Sequence, residues 1–257
     1  AQPEGREGLL YSEVLPASNP HSPVPHTERG QVQGLAEAYH RRRCMARRLF
    51  RPLAGSGVSG EGAEVMNTER HPFTPFLPDG CRLLMLGSFP PGEQRWSMRF
   101  YYPNFTNDMW RIFGILFFDD KDYFLNETRK AFCRERIIDF LNEKGIALFD
   151  TASSIRRLQD NASDKFLEVV EATDVTALLR QLPECKAIVT TGQKATDTLR
   201  QQFNVEEPKV GDYSEFIFEG RAMRLYRMPS SSRAYPLALD KKATAYRIMY
   251  QDLQILS

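Results

Sequence analysis

Four short strand-like runs, each followed by a loop of small or polar residues, constrain the fold of this chain more than any other feature. The runs are Arg82–Gly87, Ile146–Asp150, Ala187–Thr191 and Arg224–Met228. They are too short for typical helices, and the first three are apolar at most positions, which is typical of parallel strands buried on both faces. Because helical stretches separate them, the sequence predicts an α/β fold: a three-layer α/β/α sandwich with a short, mostly parallel central sheet.

The stretches between these runs have the apolar spacing of amphipathic helices. The predicted helices are Asp108–Phe117, most of Asn126–Lys144, Val175–Leu182, Gln193–Phe203 and Lys241–Leu256. In a parallel sheet the loops beyond the carboxyl ends of the strands form the ligand site. The loops expected to meet at that edge are Gly87–Gly92, Asp150–Ser154, Thr191–Gln193 and Pro229–Arg233.

Residues 1–65 differ in composition from the rest of the chain. They contain six prolines and a glycine-rich stretch, Gly55–Gly62, and have little apolar periodicity. Three interpretations stay open: a flexible tail, a basic arm that contacts nucleic acid phosphates, or an extension foreign to the natural protein. The third follows from Met66, which begins a stretch typical of a start. We therefore expect a disordered or non-native extension, 1–65, and one domain, 66–257.

Charge and cysteine content exclude several classes of protein. The formal net charge is +1, from 34 basic and 33 acidic residues, so bulk charge does not indicate a nucleic acid partner. The four cysteines form no CxxC pair, so we expect neither a metal nor a disulfide framework. Because the sequence has neither a long apolar run nor a secretory pattern, it predicts a cytoplasmic protein that is not associated with a membrane. No cofactor is expected either. A monomer without an obligate protein partner is expected.

The loop Gly87-Ser-Phe-Pro-Pro-Gly92 follows the first predicted strand. Two glycines and two prolines make a rigid turn whose backbone amides can bind a flat polar ligand or an anion. A purely structural turn has the same composition, so both interpretations stay open. The Gly-Lys-Ser/Thr of a nucleotide-binding P-loop is missing.

A second segment, Phe100-Tyr-Tyr-Pro-Asn-Phe-Thr-Asn-Asp-Met-Trp110, places aromatic rings and asparagines before a predicted helix. An aromatic face can stack on a nucleobase, and an asparagine can read a base edge as donor and acceptor. Asn107 is equally a candidate helix N-cap.

Polar residues also follow the second and fourth strands. Asp150 ends a strand and can contact water or a sugar; capping of the turn at Thr151–Ser154 is the alternative. In the segment Met228-Pro-Ser-Ser-Ser-Arg-Ala-Tyr235, hydroxyls can hold phosphate oxygens and Arg233 can reach a phosphate or fill a gap in a duplex. A capped loop before a helix is the alternative there.

Together these segments resemble the uracil-DNA glycosylase superfamily, over about Arg82 to Tyr250. Gly87–Gly92 is similar to its first motif, which follows a strand. Tyr101-Tyr102 followed by Asn107 and Trp110 resembles a stretch of its hypoxanthine-DNA glycosylase branch, and the mismatch-specific uracil glycosylases have a similar one. Met228-Pro-Ser-Ser-Ser resembles the Leu-Pro-Ser-Thr-Ser of that branch, and Gly192-Gln-Lys-Ala195 resembles its Gly-Lys-Lys-Ala.

The resemblance implies an enzyme that excises a deaminated base, such as uracil, hypoxanthine or xanthine, from DNA without a metal. It implies that Tyr102 stacks on the flipped base and that backbone around Ser88 and Phe89 contacts the base carbonyl. Asn107 matches the asparagine that orients the attacking water. By the same resemblance, the loop that contacts phosphates contains Ser230, Ser231 and Ser232. Arg233 lies near the position of the residue that inserts into the duplex as a wedge.

This sequence also departs from the superfamily pattern. Phe89 stands where many relatives have Asp, Asn or Glu to handle water, and Phe105-Thr106 replaces a Pro-Arg pair. Met228 stands where the best-known uracil glycosylases have a histidine that stabilises the departing base, and no histidine follows His71 in this chain. These departures favour the hypoxanthine-like branch.

Three functions are therefore carried forward. The first is a DNA glycosylase that hydrolyses the N-glycosidic bond of a flipped base, with Asn107 and Asp150 as candidate catalytic residues. The second is a non-catalytic nucleic-acid-binding protein of the same fold, since Phe89 and Met228 replace two usual catalytic positions. The third is an α/β enzyme acting on a free nucleoside or nucleotide.

Overall fold

The computed structural model describes residues 68–158 and 166–256. Within those ranges the chain forms eight strands and five α-helices. The strands are β1 (Thr68–Arg70), β2 (Leu83–Gly87), β3 (Ile146–Asp150), β4 (Ala152–Arg157), β5 (Leu167–Ala172), β6 (Ala187–Thr191), β7 (Asp212–Phe218) and β8 (Arg221–Met228). The helices are α1 (Met109–Phe118), α2 (Arg134–Lys144), α3 (Val175–Arg180), α4 (Gln193–Arg200) and α5 (Leu239–Asp252). The predictions for residues 1–65 lie outside the described residues.

A five-stranded sheet in the order β3–β2–β6–β8–β7 forms the centre of the fold. Its first four strands are parallel, and only β7 runs antiparallel, against β8. Every residue of β2, β3 and β6 is buried, as continuous apolar runs in a covered sheet require. The predicted α/β fold with a mostly parallel sheet is confirmed.

The strand order places helices on both faces of this sheet. The chain crosses from β2 to β3 in one direction and then from β3 past β2 to β6 in the other. Because such crossovers are right-handed, α1 and α2 lie on one face and α3 and α4 on the other. Helix α5 packs against α1 and so shares its face. The reversal of direction at β2 is where a ligand site is expected in an open α/β sheet.

A small antiparallel sheet in the order β1–β4–β5 lies beside the site and was missed by the sequence prediction. β1 contains no apolar residue, and register shifts interrupt the pairing of β4 with β5, so no single run of residues marks this sheet. A small cluster of Phe89, Ala152, Ile155 and Leu167 buries their apolar side chains. This cluster connects the small sheet to the loop after β2.

The prediction that most of Asn126–Lys144 is helical is confirmed, since α2 begins at Arg134 and covers its second part. The Asn126 side-chain oxygen accepts the backbone N–H groups of Lys130 and Ala131, which closes a loop in place of a helical turn. The other predicted helices differ from the structure by a few residues at their ends. No helix in the described part of the chain is long and apolar enough to cross a membrane.

Candidate active site

A cleft opens at the carboxyl ends of the parallel strands and contains about 770 Å³ of space, part of it open to solvent. All four loops predicted to meet there contribute to its wall. The lining includes Gly87–Pro91, Tyr101–Asn104, Asn107, Asp150, Arg157, Leu167, Thr191 and Ser230–Ser232. The register explains this convergence, because Gly87 pairs with Asp150 and Thr191 with Met228 at the last positions of their strands.

Gly87 and Asp150 approach so closely that only glycine fits at position 87. A Cβ at that position would lie 2.4 Å from Asp150 Oδ1, well inside van der Waals contact. The backbone beyond Gly87 is held in place by Thr151, whose N–H and hydroxyl donate to the Gly87 carbonyl over 2.8 and 3.1 Å. The glycine therefore makes room for a carboxylate against the floor of the cleft.

The Asp150 carboxylate is paired with an imidazole. His71 Nε2 lies 2.9 Å from Asp150 Oδ2, although the two residues are 79 positions apart in the chain. The alternative in which Asp150 caps a turn at Thr151–Ser154 is wrong: residues from Ala152 onward form β4, and the carboxylate is hydrogen-bonded to His71.

Tyr102 lines the cleft, and its backbone has a φ of 48°, a conformation that residues other than glycine rarely adopt. Such strained residues occur at functional sites where the surrounding structure holds them. Its ring packs edge-on against Trp110, and its hydroxyl lies 3.3 Å from Thr191 Oγ1. Burial raises the pKa of the Tyr102 phenol, and the negative charge of Asp150 raises it further. The phenol therefore stays neutral near pH 7.

Asp108 takes the N-cap position of α1, so the N-cap role that was left open for Asn107 is wrong; Asn107 lines the cleft from the residue before the cap. Its Oδ1 accepts the backbone N–H of Met109 at 2.9 Å, at the start of α1. Since an N–H group can only donate, this contact identifies the oxygen of the amide. The amide plane is thereby fixed, and Oδ1 keeps a second lone pair for a water or a substrate group.

The serine loop, Ser230–Ser232, is fastened to α1 and α5 by a buried ion pair. Asp108 accepts from Lys242 Nζ at 2.9 Å through its Oδ2, and Lys242 is fully excluded from solvent. The same ammonium donates to the Ser232 carbonyl at 2.7 Å, while the Asp108 N–H donates to the Ser231 carbonyl. Asn107 and the serine loop are thus held against one another.

Two arginines have different positions at the site. Arg233 does not line the cleft; it is exposed and lies 3.3 Å from Asp108 Oδ1. Arg157 lines the cleft, donates to the Pro90 carbonyl at 2.7 Å and pairs with Glu69. Phe89 is buried beneath it, with the Arg157 guanidinium 5.8 Å from the ring centre. Position 89 therefore supplies an apolar floor where a polar side chain was the superfamily expectation.

The structure brings together every predicted site residue except Arg233: Asn107, Asp150, Ser88, Phe89, Tyr102, Ser230, Ser231 and Ser232. Their roles stay predictions. Sequence reasoning assigned no role to His71, Arg157, Thr191 or Tyr101, although it named the segments that contain Thr191 and Tyr101. For Thr191, its position at the end of a predicted strand was an available signal, whereas the contacts of His71 and Arg157 depend on the unpredicted small sheet. Within residues 68–158 and 166–256 no three metal-ligating side chains cluster.

Comparison with known proteins supports the fold alone. No protein-family model and no curated protein matches this sequence. Among solved structures, the fold is similar to the solution NMR structure of a "putative Uracil DNA glycosylase" from Methanosarcina acetivorans, with a TM-score of 0.50 and 19% sequence identity. The match covers 73% of this chain and 99% of that one.

Proposed function

We propose that this chain is a DNA glycosylase of the uracil-DNA glycosylase superfamily, acting on a deaminated base flipped out of DNA. One observation carries the proposal: Tyr102, Asn107, Asp150 and the serine loop, which lie far apart in the sequence, line one cleft. The fold shared with a glycosylase-named protein supports it. We assign this activity to residues 66–257.

The cleft offers groups suited to each part of a flipped nucleotide. The Tyr102 ring can stack on the base, and the backbone at Ser88 and Phe89 can donate to a base carbonyl. Ser230, Ser231 and Ser232 supply hydroxyl and backbone donors for the phosphates on either side. Arg233 is exposed beside the serine loop, where it can reach a phosphate or enter the duplex.

Base loss by hydrolysis needs no metal, because a deaminated base can leave as an anion. The bond between C1′ and the base nitrogen breaks, and its electron pair stays with the base. The sugar then carries oxocarbenium character, which the negative charge of Asp150 stabilises. A water held by Asn107 Oδ1 attacks C1′, and its proton passes to Asp150 or to the departing base.

Synthetic oligonucleotides test this proposal directly. Each carries one uracil, hypoxanthine or xanthine, opposite each normal base and in single strands. The full chain is incubated with them in EDTA, and alkali then cleaves any abasic site. We expect excision of at least one of these bases by the wild type and its loss in Asn107→Ala, with Asn142→Ala on the exposed face of α2 as the control. DNA binding without excision of any base would instead favour the non-catalytic function.

Turnover of free nucleosides with no reaction on damaged DNA would favour the third function. The same preparations are therefore incubated with free deoxyuridine and deoxyinosine, and released base is measured by chromatography. We expect none, because the serine loop and Arg233 provide phosphate contacts that a nucleoside lacks.

A further inference from the structure

His71 is an ionisable group next to the cleft that the proposed reaction does not yet use. Its side chain is 4% exposed; it is hydrogen-bonded to Asp150 and packs against Phe89 and Tyr101, which also line the cleft. We propose that His71 is a positioning residue, which fixes the Asp150 carboxylate so that Oδ1 is presented to the substrate. This inference rests on the proposed function and adds a residue to its machinery.

The contacts of the imidazole ring restrict its rotation. Four aromatic rings surround it, with centroids 4.6 Å away at Phe149, 5.2 Å at Phe89, 5.9 Å at Phe73 and 6.2 Å at Tyr101. The His71 backbone N–H donates to the Ser153 carbonyl, which ties it to β4. A ring held on all these sides has one orientation in which Nε2 reaches Asp150.

The contacts of Nδ1 determine which nitrogen of the ring donates. The backbone N–H of Phe73 donates to Nδ1 at 3.2 Å, and the Phe73 carbonyl lies 3.0 Å from the same atom. The first contact suits a neutral ring protonated at Nε2, and the second suits an imidazolium. In both states Nε2 donates its proton to Asp150 Oδ2, so either state fixes the carboxylate.

The other carboxylate oxygen faces the floor of the cleft. Oδ1 lies 2.4 Å from the position of a Cβ on residue 87, and that position is 3.8 Å from Thr191 Oγ1. With Oδ2 bound to His71, Oδ1 keeps its lone pairs for the attacking water or the sugar. Burial raises the pKa of the Tyr101 and Tyr102 phenols, and the negative charge of Asp150 raises it further.

A fixed carboxylate matters because water attack requires the proton acceptor to be in place as the C1′–O bond forms. The proton leaving the water goes to Oδ1, while the electron pair of the broken bond leaves with the base. Misplacement of a reacting group by about 1 Å can cost roughly 100-fold in rate. The hydrogen bond from His71 therefore acts on the reaction rate without touching the substrate.

Rates measured in variants of the full chain test the proposal. His71→Leu removes the donor, and His71→Gln keeps an amide N–H that can reach Oδ2. In single-turnover assays with enzyme in saturating excess over DNA, we expect His71→Leu to lower the excision rate roughly 10- to 100-fold. The affinity for DNA should be unchanged. His71→Gln should recover most of the rate. Equal loss in both variants would overturn the proposal.

An Asp150→Asn background separates positioning from general damage to the fold. If His71 acts through the carboxylate, His71→Leu should lower the rate no further in that background, whereas independent effects would multiply. Multiplied effects, or weaker DNA binding in step with slower excision, would show that His71 has only a structural role.

NMR of 15N-labelled histidine provides a readout that does not need activity. The His71 signals are identified by their loss in His71→Gln. We expect a slowly exchanging proton on Nε2 whose shift changes in Asp150→Asn, and a freely exchanging ring would overturn the proposal. If the wild type excises none of the tested bases, the proposed function fails, and these signals still decide whether His71 fixes Asp150.

Discussion

Lys242 of α5 donates to Asp108 Oδ2 across 2.9 Å, and its side chain has no exposure to solvent. The pair lies where the start of α1, the serine loop and α5 meet. A charge in such a place is stable only while its partner remains, because neither group is solvated by bulk water. The residues next to this pair, Asn107 and Ser231, both line the cleft. The stability of the fold and the shape of the site therefore depend on one contact.

We predict that Lys242→Met destabilises the protein by about 3 kcal/mol, the lower end of the range for breaking a buried ion pair. The lower end is expected because Arg233 lies 3.3 Å from the other Asp108 oxygen and stays in place. Urea unfolding should show a lower midpoint with an unchanged slope. Lys241→Met, at the exposed neighbouring position, is the control. A double variant with Asp108→Asn should lose less than the sum of the two single variants.

Gly87→Ala is expected to reduce excision roughly 100-fold, the cost of displacing a reacting group by about 1 Å. The new Cβ would lie 2.4 Å from Asp150 Oδ1 and would force the carboxylate away. Gly92→Ala is the matched control in the same loop: its φ is −55°, and its nearest contact would be the flexible end of Gln94. Single-turnover assays should show a near-normal rate for the control. Equal rates in both variants would mean that the placement of Oδ1 is unimportant.

Two substitutions at Asn107 separate its hydrogen bond to the start of α1 from its chemical role. Asn107→Ala removes the acceptor of the Met109 N–H and should lower the free energy of unfolding by about 1 kcal/mol. It should also abolish excision. Asn107→Asp keeps the acceptor and should unfold like the wild type. Excision by Asn107→Asp should still be slow, because a second carboxylate opposes departure of an anionic base. A wild-type rate in Asn107→Asp would show that the cleft requires only an acceptor there.

Arg233→Ala is expected to weaken binding to every DNA sequence to a similar extent. If the guanidinium contacts one phosphate, the slope of log affinity against log salt should fall by about 0.9. Arg82→Ala is a matched control, because Arg82 is exposed beside the amino end of β2, at the opposite edge of the sheet. Fluorescence anisotropy at several salt concentrations measures both. An unchanged slope in Arg233→Ala would remove this residue from the phosphate contacts.

The buried tyrosines predict a loss of stability at alkaline pH. Burial raises the pKa of Tyr246 and Tyr250 well above the value of about 10 that phenols have in unfolded chains. The folded state therefore keeps protons that the unfolded state loses, so this contribution is complete below about pH 10 and declines as pH rises further. Tyrosinate absorbance should rise together with unfolding seen by circular dichroism. Early ionisation of these phenols in a folded protein would contradict this.

Tyr246→Phe refines that test, because it removes one phenol with a raised pKa together with its hydrogen bond to the Pro229 carbonyl. Tyr213→Phe, at a partly exposed position of β7, is the comparison. We expect Tyr246→Phe to lower stability near pH 7 by about 1 kcal/mol and to flatten the alkaline decline. An identical pH profile for Tyr246→Phe and the wild type would assign the decline to other groups.

The sequence by itself determined the four parallel strands of the central sheet, but not β1, β4, β5 or β7. Runs such as Leu83–Gly87 and Ala187–Thr191 are apolar because both faces of a covered parallel sheet are buried, and that requirement is local enough to be visible in the residues. The convergence of the loops followed, since parallel strands place their carboxyl ends together. Where α2 starts within Asn126–Lys144 was not predicted, because the side chain of Asn126 competes with the backbone for hydrogen bonds and apolar periodicity does not show this.

Only the tertiary structure decided the contacts inside the site. His71 meets Asp150 across 79 positions because β1 pairs with β4, and the short strands of that sheet carry no clear pattern. Lys242 and Asp108, 134 positions apart, join for a similar reason, through the packing of α5 on α1. Local propensity and periodicity act over a few residues, whereas these hydrogen bonds depend on how whole elements pack. The sequence could therefore predict which loops form the site, and only the packing shows which side chains hold one another in it.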